Sequence, residues 1–276
     1  MKHGISAILR HKVEALLDLL AERSVDLELD RAALALARIE YPGLDIEPFI
    51  AILDSCAVEL ASRPSDCSGG SEYVEAANQY LFGELGFIGN LQNYYDPRNS
   101  CLNEVLIARA GIPIAPAVVY LEIGRRLAQP VYGIGLPGHF LVQYRDAHFS
   151  AFIDVFNGGR RQSASSLRGA RPAPKFSADP RLLVPTGKRQ ILMRMLNNLR
   201  SGYFNRRAYG KAVLAAKRCF NEKHVQSQEF RGRCRERRGC RFRPAREPAG
   251  RRKARYAPWT DRVRRKRSRS GHSQSP

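Results

Sequence analysis

The chain has 276 residues, with 46 Lys and Arg against 26 Asp and Glu and a formal net charge of +20 at pH 7. That length can bury the core of one large or two small domains. The charge is uneven: positions 229–276 hold 18 basic and 4 acidic residues, a net +14 that leaves +6 for everything before, so the basicity belongs to a tail. No apolar segment is long enough for a signal peptide or a membrane span, and the six cysteines form no CxxC pair, so a reduced, cytoplasmic protein without membrane partners is expected. No metal and no cofactor are expected, since Cys234 and Cys240 lack a His at zinc-ligand spacing.

The opening reads as helices, with Ile8, Leu9, Val13, Leu16, Leu17 and Leu20 recurring at three- and four-residue steps. Asp30 is expected to cap a helix over 32–40 that Tyr41, Pro42 and Gly43 end. Pro48 suits the first turn of a helix reaching residue 62, residues 64–70 read as a loop, and a further helix is expected over 72–85. Residues 86–97 are aromatic, Gly-containing and irregular, which points to a packed loop. Ser100 is placed as the cap of a helix over 101–110, with Gly111 as its left-handed stop. Pro113 and Pro116 precede a helix over 118–127 whose closing Arg125 and Arg126 complement its negative end.

Three strands are expected next, at 131–135, 139–144 and 149–156, followed by a turn at Asn157, Gly158 and Gly159. Gly135 and Gly138, either side of Pro137, serve the bend entering the second strand. If the next turn centres on Asp146 and Ala147, His139 faces Asp154 directly across an antiparallel ladder. A His held by an Asp is the base-plus-orienter half of a nucleophilic site. Residues 160–180 read as a linker. A helical pair follows at 189–205 and 208–220, and it must dock on a neighbour or belong to a repeat because one hairpin cannot bury its own apolar side. Beyond residue 229 there is no Leu or Ile and a single Val, Val263, so no core can form there and the Arg-rich tail is expected to be disordered.

The strings ELGFIGN (84–90), YYDPRNSCLNEVL (94–106), GIPI (111–114), YLEIGRRL (120–127), GLPGHFLV (135–142), FIDVFNGG (152–159) and RMLNNLRSGYF (194–204) resemble the bacterial SirB-type family. That is a transglutaminase-like domain followed by tetratricopeptide-like helices. The resemblance implies an α+β fold, with N-terminal helices plus a papain-like core carrying a small antiparallel sheet in 1–159 and a partial tetratricopeptide-like hairpin in 181–228; the linker at 160–180 matches the family poorly and the tail at 229–276 not at all. It also implies a nucleophile at a helix start, then His and Asp in that order, matched by His139 and Asp154. Two registers are open for the nucleophile. One is Cys101 at the first turn of its helix, where the dipole would lower its pKa. The other, which keeps the nucleophile helix directly before the strands and is favoured, is Ala115, where the thiol is missing.

Two readings of function follow. The favoured one is a non-catalytic transglutaminase-like interaction or regulatory module, with Tyr94, Tyr95, Asp96 and Asn99 lining a cleft beside the hairpin for a protein or peptide partner. The alternative is a cysteine acyl transferase or amide hydrolase in which Cys101 attacks, His139 moves the proton and Asp154 orients it. The tail adds a non-specific contact with nucleic acid as a third expectation.

Overall fold

The computed structural model describes residues 27–63, 69–163, 167 and 183–220. The helix expected near residues 8–20, most of the linker and the whole tail lie outside them. The elements in chain order are α1 (Leu29–Ala37), α2 (Glu47–Ala61), α3 (Gly70–Asn78) running into a π-helical turn (Gln79–Glu84), β1 (Ile88–Gly89), a 3₁₀ turn (Pro97–Ser100), α4 (Leu102–Ala108), β2 (Ala110–Gly111) and α5 (Ile114–Arg126). Then come β3 (Val131–Leu136), β4 (His139–Arg145), β5 (Ser150–Asp154), a 3₁₀ turn (Val155–Asn157), β6 (Arg160–Gln162), α6 (Lys188–Asn205) and α7 (Tyr209–Phe220). This is the expected α+β class: helices around one small antiparallel sheet of order β3-β4-β5-β6, with a closing helical hairpin.

α5 is the hub. Every residue from Ile114 to Gly124 is buried, as a helix covered on all sides requires. It starts earlier than expected because Pro113 and Pro116 occupy its first turn, where a missing N–H costs nothing. Phe140, Val142, Tyr144 and Ile153 on one side of the sheet join α5, α1 and α6 in the main apolar cluster. Ile134, Leu136, Leu141 and Phe152 on the other side form a smaller cluster with Leu167. Strand alternation separates the two sets.

An ionic network ties three helices together. Arg126 on α5 meets Asp30 of α1 at 2.7 Å, Asp54 of α2 at 2.6 Å and its own neighbour Glu122 at 2.9 Å. Asp30 is therefore an internal ion-pair partner inside α1, whose N-cap is Glu28, rather than the expected cap. Cys101, not Ser100, is the N-cap residue of α4, and Arg109 (φ 58°) rather than Gly111 makes its left-handed stop. Gly111 instead pairs with Gly89 in a parallel β1-β2 bridge. Residue 160 does not begin a linker, because Arg160–Gln162 forms a fourth strand on β5.

Candidate functional site

β3 and β4 are joined by Pro137 and Gly138 alone, and Gly138 sits at φ 72°, the left-handed position that glycine fills without strain. This turn makes Leu136 and His139 a facing pair. At the far end of β4 the expected two-residue turn is replaced by a four-residue loop. Asp146 Oδ1 accepts from the backbone N–H of His148 at 2.7 Å and of Phe149 at 2.6 Å, while Asp146 N donates to Phe149 O at 3.0 Å. The side-chain-held loop shifts the β4-β5 register by two residues, so that Val142 faces Ile153.

A shift of two preserves which face each residue occupies. His139 and Asp154 therefore still share a side and meet diagonally, with Nε2 3.0 Å from Asp154 Oδ1. The imidazole is 12% and the carboxylate 6% exposed. Asp154 also accepts from Phe156 N at 3.2 Å, Asn157 N at 3.3 Å and Asn157 Nδ2 at 2.8 Å, which caps the following 3₁₀ turn. Burial works against its charge, yet hydrogen bonds from His139 and Asn157 hold its pKa below the ordinary carboxylate range. The backbone of the pair is held as well: Arg194 of α6 donates to the carbonyls of Leu136 and of His139, the latter at 2.6 Å. Gly135 leaves the space that this guanidinium needs, since a Cβ there would stand 3.1 Å from Arg194 Nη1.

The ring of Phe156 packs edge-on to His139, with centroids 6.2 Å apart, and Tyr94 packs edge-on to Phe156 at 6.1 Å and to Tyr95 at 5.4 Å. Tyr94 thus reaches the hairpin through Phe156, with Tyr95 against its own ring. Asp96 and Asn99 are turned inward. Asp96 is buried, caps the 3₁₀ turn through Arg98 N at 3.0 Å, and pairs with Arg98 and Arg206, each at 2.8 Å. Asn99 is also buried; it accepts from Asn90 Nδ2 at 3.0 Å and donates to Asn93 O at 2.6 Å, so it holds the loop from inside. A loop of this shape must satisfy its own backbone, and these two polar side chains are consumed in doing so.

Cys101 is fully buried, and its Sγ lies 3.6 Å from Pro97 O. Its thiol pKa is raised, by burial first and then by Glu40, Glu104 and Asp96, against a small opposing effect of Lys211. The dipole lowering expected at a helix start is overridden by desolvation and negative neighbours. Pro97 packs against Gly202 of α6, eight residues beyond Arg194, which is about 12 Å along a helix axis. Cys56, the other cysteine whose side chain is described, is buried with its pKa likewise raised by burial.

Ala115 lies fully buried in the first turn of α5. α5 runs toward the start of β3, where Gly124 approaches Val131, and β3 runs back, so the His139 end of β4 lies at the α5 starting end. The same end is bridged by Phe156 against Gly89 of β1 and by Gly111 of β2 against Pro116. His139 and Asp154, however, project on the side of Leu136, Leu141 and Phe152, opposite to the face packed on α5. Phe156, Asn157 and Arg194 escaped the sequence reading. The FIDVFNGG string contained the first two, but nothing local tied Arg194 to a hairpin more than fifty residues earlier. Among the described residues no group of three or more His, Cys, Asp or Glu could hold a metal ion, and no helix is long and apolar enough to cross a membrane.

A family model described as the Transglutaminase-like superfamily matches residues 47–197. The UPF0162 protein of Xylella fastidiosa (strain Temecula1) is 40% identical over 213 residues, which cover 75% of this chain and 76% of that protein. The UPF0162 protein of Pseudomonas aeruginosa is 28% identical over 193 residues, 68% of each chain. F-box only protein 21 of Homo sapiens is 37% identical over 87 residues, 32% of this chain and 14% of that protein. No solved structure matches the chain.

Proposed function

Because the chain belongs to the transglutaminase-like superfamily and, within it, to the UPF0162 proteins, we propose that it is a non-catalytic interaction module of SirB type. In this reading it binds a peptide or partner segment in the cytoplasm, and α6 and α7 are the opening hairpin of a tetratricopeptide-like array. The observation that carries the reading is the saturation of Asp154. Its carboxylate takes hydrogen bonds from His139, Phe156 and Asn157 together, so the His-Asp pair serves to hold a hairpin end and a turn. Ala115 stands where the superfamily's order of elements would put a thiol, and its methyl can neither attack a carbonyl nor surrender a proton. The alternative nucleophile, Cys101, is buried with a raised pKa, the reverse of an activated thiolate. The tail's 18 basic residues supply a separate, sequence-independent attraction to polyanions.

The test is iodoacetamide labelling of the native protein at mildly acidic pH, followed by peptide mass spectrometry. No preferential adduct on Cys101 is expected. Selective labelling of Cys101 ahead of Cys56, lost in His139→Ala, would overturn the non-catalytic reading in favour of cysteine acyl transfer.

A further inference from the structure

We propose that the hollow between the π-helical turn and the turn at 158–159 that leads into β6 captures the free C-terminal end of a partner polypeptide whose last side chain is apolar. The proposal rests on the peptide-binding reading and names the part of the peptide that is held.

The hollow has a volume of about 580 Å³, within the range of small-ligand pockets, and lies apart from the His139-Asp154 contact. Its apolar walls are Phe82, stacked on Tyr120 with centroids 6.4 Å apart, and Ile88, 58% exposed at the end of β1. Gly86 and Gly158, both at positive φ, have nothing within 4 Å of the place a Cβ would take, so the lining stays open.

Two polar groups lack the partner that their chemistry calls for. Arg161 also lines the hollow. Its guanidinium contacts Ser71 Oγ at 3.3 Å and lies 5.3 Å from the Phe149 ring centroid, but among the described residues it pairs with no carboxylate. The planar fork retains donors for a carboxylate to accept. Asn78 gives its Nδ2 to Gly159 O at 2.8 Å, while its Oδ1 is buried and accepts nothing. Rotation about χ2, which is broad for amides, turns that acceptor toward a ligand N–H in exchange for the bond to Gly159 O.

A carboxylate, an N–H and an apolar side chain occur together on the last residue of a polypeptide. An acidic side chain offers only the first. Glu75, also on the lining, disfavours a second carboxylate nearby, so the preceding residue is neutral or basic.

The experiment is fluorescence polarisation with the full chain and a fluorescein-labelled pentapeptide ending in Ala-Leu, as the free acid and as the C-terminal amide, at about 0.15 M salt to damp non-specific attraction. The free acid should bind at least ~10-fold more tightly than the amide. Arg161→Gln should remove that preference. Arg160→Gln, its neighbour on β6 whose side chain points to the other face, should keep it. Ile88→Ser should weaken acid and amide alike and keep their ratio, with circular dichroism showing each variant folded. Equal affinity for acid and amide, a preference that survives Arg161→Gln, or no binding of either peptide would overturn the proposal. Selective alkylation of Cys101 would remove the non-catalytic reading alone.

Discussion

The carboxylate of Asp154 accepts from two backbone N–H groups and two side chains, and that density of donors makes it a pH-dependent part of the fold. Its pKa in the folded protein lies below the ordinary value, while an unfolded chain titrates near ~3.9. The stabilisation is therefore complete above the unfolded value and is lost as pH falls through the folded one. The melting-temperature gap between wild type and Asp154→Asn should be widest near neutral pH and should close between about pH 5 and pH 2; a gap that stays constant on acidification would show that the charge is not what stabilises. Arg194 acts on the same hairpin from below. Arg194→Met should cost ~2 kcal/mol in urea unfolding by leaving the carbonyls of Leu136 and His139 without this donor. A loss under a few tenths of that would mean that water replaces the guanidinium.

At the level of elements, α5 is fixed by charge as well as by packing. The Arg126, Asp30 and Glu122 side chains are 11%, 4% and 2% exposed. Burial and Asp30 push the Glu122 pKa up, whereas Arg126 helps to hold that of Asp30 down. Removing Arg126 leaves the two buried carboxylates to the half-exposed Arg125, 2.8 Å from Glu122 and 3.5 Å from Asp30, so Arg126→Met should destabilise the protein by about 3 kcal/mol. Replacing all three with apolar residues, Asp30→Leu, Glu122→Leu and Arg126→Met, should recover most of that loss, because no buried charge is then left unpaired. A triple variant less stable than the single one would refute this account. The sheet meets α6 across a glycine: a Cβ on Gly133 would stand 2.8 Å from Phe140 Cζ and 3.2 Å from Ile191 Cδ1. Three strands, the π-turn helix and the hairpin α6-α7 were legible because their apolar spacing is local. β6 was not, since two arginines and a glutamine give a strand no apolar signature.

On the scale of the whole molecule, the α6-α7 hairpin is part of the core. Leu192, Met195, Leu196 and Leu199 are all fully buried and join the cluster that contains α1, α4 and α5. Leu196→Ala should cost about 2–5 kcal/mol and shift one common transition monitored by tryptophan-independent far-UV circular dichroism; a separate early transition would mean that the hairpin is a unit of its own. Deleting residues 229–276 removes a net +14 and should abolish salt-sensitive retention on single-stranded DNA, while retention that persists would locate the basic site in the body.

The sequence by itself determined the order of the described helices and of the three strands β3 to β5, the location of the charge, and the sharing of one face by His139 and Asp154, because periodicity and alternation are short-range properties of the chain. Tertiary structure alone decided what those groups do. The Asp146 loop reset the register, the packing around Cys101 raised the thiol pKa that the alternative register needed lowered, and Asp96 and Asn99 were drawn inside to satisfy a loop. Each outcome depends on desolvation and on partners far along the chain, and neither is written in local spacing.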